Sequence, residues 1–153
     1  MKKTINLVIL LTLSLAIHAT DKQSSKEIKM LAQGSFDVTL APQTDAINPT
    51  GRLLINKKYI GNIIGEGKGQ MISKRTSNGI AVYYAIEEFE GSIDGKQGNF
   101  TLIHSGYMSA EEQTLAINIL AGSGQGELEN ISGELSITQE NNIHNYTLTY
   151  QLP

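Results

Sequence analysis

The stretch GNIIGEGKGQM, residues 61–71, places four glycines within eleven positions. A phosphate-binding loop of the GxxxxGK[ST] type needs Ser or Thr directly after its lysine, at the start of a helix. Here Lys68 is followed by Gly69, and apolar and polar residues alternate on both sides. We therefore reject the phosphate loop and predict a β-strand whose glycines share one face. Such a face suits bending and close backbone approach at a barrel corner, and it would also leave room inside.

The same period of two continues through most of the chain after Met30. It is clearest in GSFDVTL (34–40), NFTLIHSGYM (99–108) and HNYTLTYQL (144–152). Turn signals separate such runs; they are Asn48-Pro49, Asn78-Gly79, Asp94-Gly95, Gly122-Ser123-Gly124 and Asn141-Asn142. About eight strands and no convincing amphipathic helix indicate an all-β fold, an antiparallel barrel or sandwich.

The N-terminus has the features of a secretory signal peptide. Lys2 and Lys3 precede an apolar run from Ile5 to Ile17, and Ala19 is a small residue placed for cleavage. The run is shorter than the roughly 20 residues that a membrane-spanning helix needs. We predict a signal peptide at 1–19, a flexible polar leader at 20–30 and one barrel domain at 31–153. The protein would then be periplasmic or secreted, without a membrane span after cleavage.

Charge and cysteine content narrow the possible partners. Without Lys2 and Lys3 the chain keeps 10 basic against 15 acidic residues, a formal charge of −5. This balance argues against binding to nucleic acid or to anionic membranes. The chain has no cysteine, so an exported domain must rely on its core and its strand ladders rather than on disulfides.

The central hairpin brings two titratable residues to one apolar face. A loop at Gly95-Lys96, or a four-residue loop at 94–97, pairs residues so that Glu87 lies opposite His104. An Asp94-Gly95 turn would instead place Ala85 opposite His104 and leave Glu87 on the same face. A two-residue Asn78-Gly79 turn would point Glu66 and Lys68 inward, so we expect a three- or five-residue loop, or a bulge, before this hairpin.

Glu87 and His104 are the catalytic candidates. An apolar environment shifts pKa values and can prepare such a pair for general acid–base chemistry. The alternative is a structural hydrogen-bonded pair that fills one end of the barrel. With His144 the two residues could also form a two-histidine, one-carboxylate metal site, but nothing in the spacing supports it, and we predict neither metal nor cofactor.

Aromatic and thioether side chains on the same inward faces are the ligand-binding candidates. Eight-stranded barrels are either filled by side chains or hold one small ligand. The glycine face of residues 61–69 favours some open volume. The predicted ligand-binding residues are Tyr83, Phe89, Phe100, Met108, His144 and Tyr146, within a wider set that includes Phe36, Tyr59, Met71 and Tyr150.

Three segments carry a family resemblance: GIAVYYAIEEFEGSIDGKQGNFTLIHSGYM (79–108), GSGQGELENISGEL (122–135) and HNYTLTYQLP (144–153). They resemble a bacterial domain-of-unknown-function family with a barrel like that of allene oxide cyclases, over about residues 34–153. The resemblance implies the eight-stranded barrel and no established activity. Plant allene oxide cyclases cyclise a fatty-acid epoxide inside such a barrel, but none of their catalytic positions can be aligned with this sequence.

Three functions remain open from the sequence. We favour an exported barrel that binds a small, largely apolar ligand in its interior. The second is an isomerase or cyclase in which Glu87 and His104 move a proton on a bound substrate. The third is a barrel with a solid core that acts through its surface or as a homo-oligomer.

Overall fold

The computed structural model describes residues 28–44 and 51–153. The predicted signal peptide (1–19), nearly all of the predicted leader and the Asn48-Pro49 turn lie outside these residues. The first strand begins at Met30, the last residue of the predicted leader. Within the described residues no helix has the length and hydropathy needed to cross a membrane.

Antiparallel strands form the whole described domain, because alternating apolar and polar residues suit a sheet with one buried face. Their bounds are β1 Met30–Gln43, β2 Gly51–Gly61, β3 Ile63–Arg75, β4 Ala81–Ile93, β5 Lys96–Met108, β6 Gln113–Ile119, β7 Gln125–Gly126, β8 Ser132–Glu140 and β9 Ile143–Gln151. The strand order is β4-β3-β2-β1-β9-β8-β6-β5, and β5 pairs back with β4. Eight strands thus close a barrel, as predicted, and the two-residue β7 pairs with β5 beside it.

The β4–β5 hairpin takes the second of the two predicted registers. Asp94 and Gly95 occupy the turn with φ of 49° and 85°, and Ile93 pairs with Lys96. Both residues have the positive φ of a type I′ turn, which matches the twist of the flanking strands. The register that placed Glu87 opposite His104 is therefore wrong. Ala85 lies opposite His104, and Glu87 lies opposite Leu102.

From Ile63 onward the glycine-rich stretch forms strand β3, so the strand prediction is confirmed there and the phosphate loop is excluded. Gly61 is the last residue of β2, and Asn62 lies in the turn between the two strands. Arg75 pairs with Ala81, which leaves a five-residue loop at 76–80. This loop restores the predicted parity, with Thr76 N donating to Ile80 O at 2.8 Å. Gly65, Gly67 and Gly69 therefore share the inner face of β3 with Ile63, while Glu66 and Lys68 are exposed.

One end of the barrel, here called the closed end, is filled by fully buried apolar side chains. They include Ile63, Phe89, Ile93, Phe100, Leu128, Ile131, Tyr146 and Tyr150. Hydrogen bonds tie the turns together there. Tyr150 OH donates to Asp94 Oδ2 at 2.7 Å, and Asn62 Nδ2 donates to Asp94 Oδ1 at 2.8 Å. Tyr146 OH accepts from the Ile63 N–H at 2.7 Å.

The opposite end, here called the open end, carries inward-facing apolar side chains that are only partly buried. Each of them is an even number of residues away from a core residue on the same strand, so it points to the same inner face. These side chains are Leu53, Met71, Tyr83, Met108 and Leu115. The barrel is therefore asymmetric, with a packed half and a half that leaves apolar surface in contact with solvent.

Candidate functional site

A charged cluster lies inside the barrel between the two ends, formed by Lys57 and Tyr59 on β2, Glu87 on β4 and His104 on β5. Lys57 Nζ donates to Glu87 Oε2 at 2.7 Å, and Tyr59 OH donates to Glu87 Oε1 at 2.8 Å. Glu87 is 0% exposed, and Lys57 and His104 are also buried. Because a buried charge is costly without a partner, these contacts are what allow a carboxylate at this position.

Glycine 67 makes the cluster possible. It lies on β3, between the two strands that carry Glu87 and Lys57. A Cβ on Gly67 would lie 2.0 Å from Glu87 Oε1 and 3.1 Å from Tyr59 Cε2. The bare backbone therefore lets side chains of β2 and β4 bond directly across β3. The prediction that the glycine face leaves open volume is wrong here, because Glu87 and Tyr59 fill it.

His104, on β5, also contacts the Glu87 carboxylate. Its Nε2 lies 3.0 Å from Glu87 Oε2. The two atoms lack the alignment of a hydrogen bond, so among the described residues Nε2 is a buried nitrogen without an aligned acceptor. The sequence therefore predicted correctly that Glu87 and His104 share one enclosed space, although they are not directly opposite each other.

The environment keeps Glu87 ionised and Tyr59 protonated. Burial raises the pKa of the Glu87 carboxyl, but the contact with His104 and the Lys57 ammonium together outweigh burial, so the net pKa lies below its ordinary value. Burial, and then the Glu87 charge, raise the pKa of the Tyr59 phenol well above its ordinary value. At neutral pH Glu87 is a carboxylate that already accepts hydrogen bonds from Lys57 and Tyr59, rather than an available base.

His144 does not join Glu87 and His104. Its ring stacks on Phe36, with centroids 5.2 Å apart and planes at 24°. Phe36 in turn contacts the charged cluster, because Lys57 Nζ lies 4.9 Å from its ring centroid. Among the residues that the structure describes, no three His, Asp or Glu side chains are placed to hold a metal ion.

The predicted ligand-binding residues divide between the two halves of the barrel. The closed end fully buries Phe89, Phe100 and Tyr146, and the Tyr146 hydroxyl accepts a hydrogen bond from the Ile63 N–H there. Tyr83 and Met108 lie at the open end, where Met108 is 39% exposed. Only the second group, and the half-buried His144, are placed where an entering molecule could touch them.

Sequence reasoning missed Lys57, the closest cation to Glu87. The signal was present, since GRLLINKKYIG (51–61) alternates and places Lys57 on the face of Ile55 and Tyr59. A lysine on the inner face of a strand needs an acidic partner, because an unpaired ammonium is not stable in an apolar core. Glu87 was the predicted inward carboxylate that could supply it.

Comparisons with known proteins identify relatives but no activity. Residues 32–150 match the model of a family described as "Protein of unknown function (DUF3224)". A crystal structure of a protein of unknown function from that family, from Shewanella oneidensis MR-1, is 32% identical in sequence. The match covers 82% of this chain and 99% of that chain, with a TM-score of 0.77. The comparison with curated proteins gave no match.

Proposed function

Since the chain belongs to the DUF3224 family of proteins of unknown function, we propose from its site that it binds a small, largely apolar ligand at the open end of the barrel. The observation that carries the proposal is the partial exposure of inward-facing apolar side chains at that end. Apolar surface that is left in contact with solvent is what a hydrophobic ligand covers. The closed end, whose inner side chains are fully buried, offers no comparable surface.

The charged cluster lies below the apolar rim, and the open end would have to adjust for the buried His104 to give such a ligand a polar contact. Ala85 pairs with His104 and with Met71, so these three lie next to one another between the rim and Glu87. His104 Nε2 has no aligned acceptor among the described side chains. A ligand with an apolar body and one hydrogen-bonding group would place the body at the rim and the polar group toward His104.

A fluorescent apolar probe tests the proposal. We expect 1-anilinonaphthalene-8-sulfonate to bind the purified chain and Met108→Asp to weaken its binding about tenfold, because an aspartate at the rim replaces apolar surface by charge. The matched control is Leu31→Asp, an exposed outward position on β1. Loss of binding in Leu31→Asp, or unchanged binding in Met108→Asp, contradicts a site at the open end. Native mass spectrometry of the chain should also show a co-purifying small molecule.

A second candidate is an isomerase or cyclase that uses Glu87 and His104, favoured by their 3.0 Å contact. It ranks below binding because the lowered pKa of Glu87 and its existing donors leave little basicity for a substrate. In that case Glu87→Gln should abolish turnover and leave ligand affinity nearly unchanged. Equal turnover in wild type and Glu87→Gln would exclude this role. The predicted resemblance to allene oxide cyclase barrels rests on the sequence alone and belongs to this second candidate only.

Export forms part of the proposal and rests on the sequence alone. Lys2, Lys3 and the apolar run 5–17 have the order of a signal peptide, with Ala19 at the cut. N-terminal sequencing of the chain from the medium or periplasm of a bacterial host should begin at Thr20. Recovery of the intact chain in the cytoplasm alone would contradict export and would leave ligand binding unaffected.

A further inference from the structure

The outer wall of the barrel carries an apolar groove of about 630 Å³ across β3, β4 and β5. Here it is called the outer groove. Its large apolar side chains point away from the barrel interior and are between 39% and 57% exposed. They are Ile72, Tyr84, Ile86 and Ile103. Gln70 and Ile86, which are cross-strand partners, lie at its middle.

The opposite side of the outer wall is mostly polar. Apart from Ile143, the outward positions of β8 and β9 are polar, with Glu134, Ser136 and Thr138 on β8 and Asn145, Thr147 and Thr149 on β9, whereas β1 and β2 also carry exposed apolar residues such as Leu31 and Ile60. Single exposed apolar residues are normal on protein surfaces, but four on three adjacent strands form a continuous patch. Such a patch is typical of an interface.

The charges beside the outer groove are arranged with opposite signs at its two ends. Toward the closed end lie Glu66, Glu88 and Glu90. Lys68 is bound to Glu66 at 2.8 Å and Lys58 on β2 is the cross-strand partner of Glu66, so three carboxylates outnumber two ammonium groups there. Toward the open end lies Lys74, the cross-strand partner of Val82. On the neighbouring strand Arg52, the partner of Ile72, adds a second positive charge there. One end is therefore acidic and the other basic.

The strand register makes this charge pattern complementary to itself. Lys74 pairs with Val82, Gln70 with Ile86, and Glu66 with Glu90, so the basic and acidic levels lie four residues on either side of Ile86. A two-fold axis that crosses the strands at the level of Ile86 therefore places the Lys74 level of one copy against the Glu66 and Glu90 level of another. The same contact is made twice, as a closed two-fold interface requires.

We propose that the outer groove is a homodimer interface in which a second copy of this chain packs face to face, with its strands reversed end to end. The apolar side chains of the two grooves cover each other, and the acidic end of each copy meets the basic end of its partner. This interface is on the outer wall and does not depend on ligand binding at the open end.

Sedimentation equilibrium of the purified chain tests the interface. We expect a dimer for the wild type and a monomer for Ile86→Asp, because the substitution places two uncompensated charges at the centre of the contact. Ile143→Asp is the control, since Ile143 is 54% exposed on β9, across the barrel from β4. Circular dichroism must show native strand content for both variants. A wild-type monomer at about 200 µM, or an Ile86→Asp dimer, overturns the proposal.

Charge reversal tests the orientation. Glu90→Lys should weaken dimerisation about tenfold, because it faces the basic end of the partner twice per dimer. Adding Lys74→Glu to the same chain should restore most of the lost affinity. If the double variant is as weak as Glu90→Lys alone, the end-to-end reversed arrangement is wrong. Sedimentation measures the dimer and the comparison of Met108→Asp with Leu31→Asp measures the probe site, so the two proposals can fail separately.

Discussion

At the residue scale, the molecule is organised around a single buried carboxylate. Glu87 is fully buried, and its two carboxylate oxygens accept hydrogen bonds from Lys57 and Tyr59, one each. An ion pair of this kind contributes little net stability relative to an apolar replacement, but removal of one partner leaves a charge buried without compensation. We therefore expect substitution of one partner alone to lower stability more than substitution of both partners together.

Replacement of Lys57 should be strongly destabilising. Lys57→Met leaves the Glu87 carboxylate without its ammonium, and we expect the free energy of unfolding in urea to fall by about 3–5 kcal/mol. Addition of Glu87→Gln should recover part of this loss, because the neutral amide needs no counter-charge. Lys58→Met, at the exposed neighbouring position, should change stability by less than about 0.5 kcal/mol. A double variant less stable than Lys57→Met would contradict this account.

Replacement of Gly67 tests whether the contact between Glu87 and Tyr59 across β3 needs a residue without a side chain at this position. The new Cβ of Gly67→Ala would meet Glu87 Oε1 at 2.0 Å, so the carboxylate must move away from Tyr59. We expect a loss of about 1–3 kcal/mol in urea unfolding, as for other overpacked sites. Gln70→Ala, at an exposed position of the same strand, serves as the control. Equal stability of the two variants would show that Glu87 does not need the bare backbone.

Acid should selectively remove the contribution of Glu87. Its pKa is lower in the folded chain than the ordinary value of 4.5, so the folded state binds this proton more weakly than the unfolded state. The resulting stability is present above the ordinary pKa and is lost as the pH falls through the folded value. We expect the stability gap between wild type and Glu87→Gln to narrow as the pH falls below the ordinary pKa of 4.5 and through the lower folded value. A gap independent of pH would contradict the lowered pKa.

At the scale of elements, the turns at the closed end determine how the strands align. Asp94 adopts a positive φ in the β4–β5 turn, and its carboxylate accepts hydrogen bonds from Asn62 in the β2–β3 turn and from Tyr150 on β9. The Asp94 side chain therefore links its own turn to two other parts of the chain that are distant in sequence. The register of β4 with β5, which positions Glu87 and His104, depends on this turn.

Removal of one of these bonds should loosen the closed end. Tyr150→Phe deletes the donor to Asp94 Oδ2, and we expect a loss of about 1.5–3 kcal/mol, the usual range for a hydrogen bond to a charged group. Tyr84→Phe is the control, since Tyr84 is exposed on the outer wall. Thermal unfolding monitored by circular dichroism measures both. A Tyr150→Phe variant as stable as the control would mean that the Asp94 contact does not hold the turn.

At the scale of the whole molecule, the barrel has one packed half and one partly solvated half. The buried core includes Phe89, Phe100 and Tyr150 at the closed end, whereas Tyr83 and Met108 at the open end remain partly exposed. Local opening costs least free energy where few apolar contacts are lost. The open end is therefore the part of the barrel most able to adjust around a ligand.

Hydrogen exchange should detect this asymmetry. We expect the amides of β4 and β5 next to the Asp94-Gly95 turn to exchange much more slowly than those near Tyr83 and Met108 at the other ends of the same strands. Mass spectrometry of peptic peptides measures the difference. Addition of a ligand should slow exchange at the open end only. Uniform exchange along β4 and β5 would contradict the division into two halves.

Much of the fold was accessible from the sequence. The strands and four of the five turns agree with the alternation of residues and with the positions of Asn, Asp and Gly, and the Asn48-Pro49 turn lies outside the described residues. The eight-stranded closure agrees with the family resemblance, since alternation alone left a barrel or a sandwich open. The register of the β4–β5 hairpin was not determined, because each candidate loop keeps Glu87 on the same face. The pairing of Lys57 with Glu87 was also missed, since it joins strands that are separated by β3.

The amino-acid sequence by itself determined which side chains face inward, because in a strand that choice follows from the position of each residue among its immediate neighbours. This was enough to bring Glu87 and His104 into one interior. The tertiary structure alone decided what they meet there. Contacts between β2 and β4 depend on the register of three strands at once and on the absent side chain of Gly67. No local pattern contains that information, because it arises only when the barrel closes.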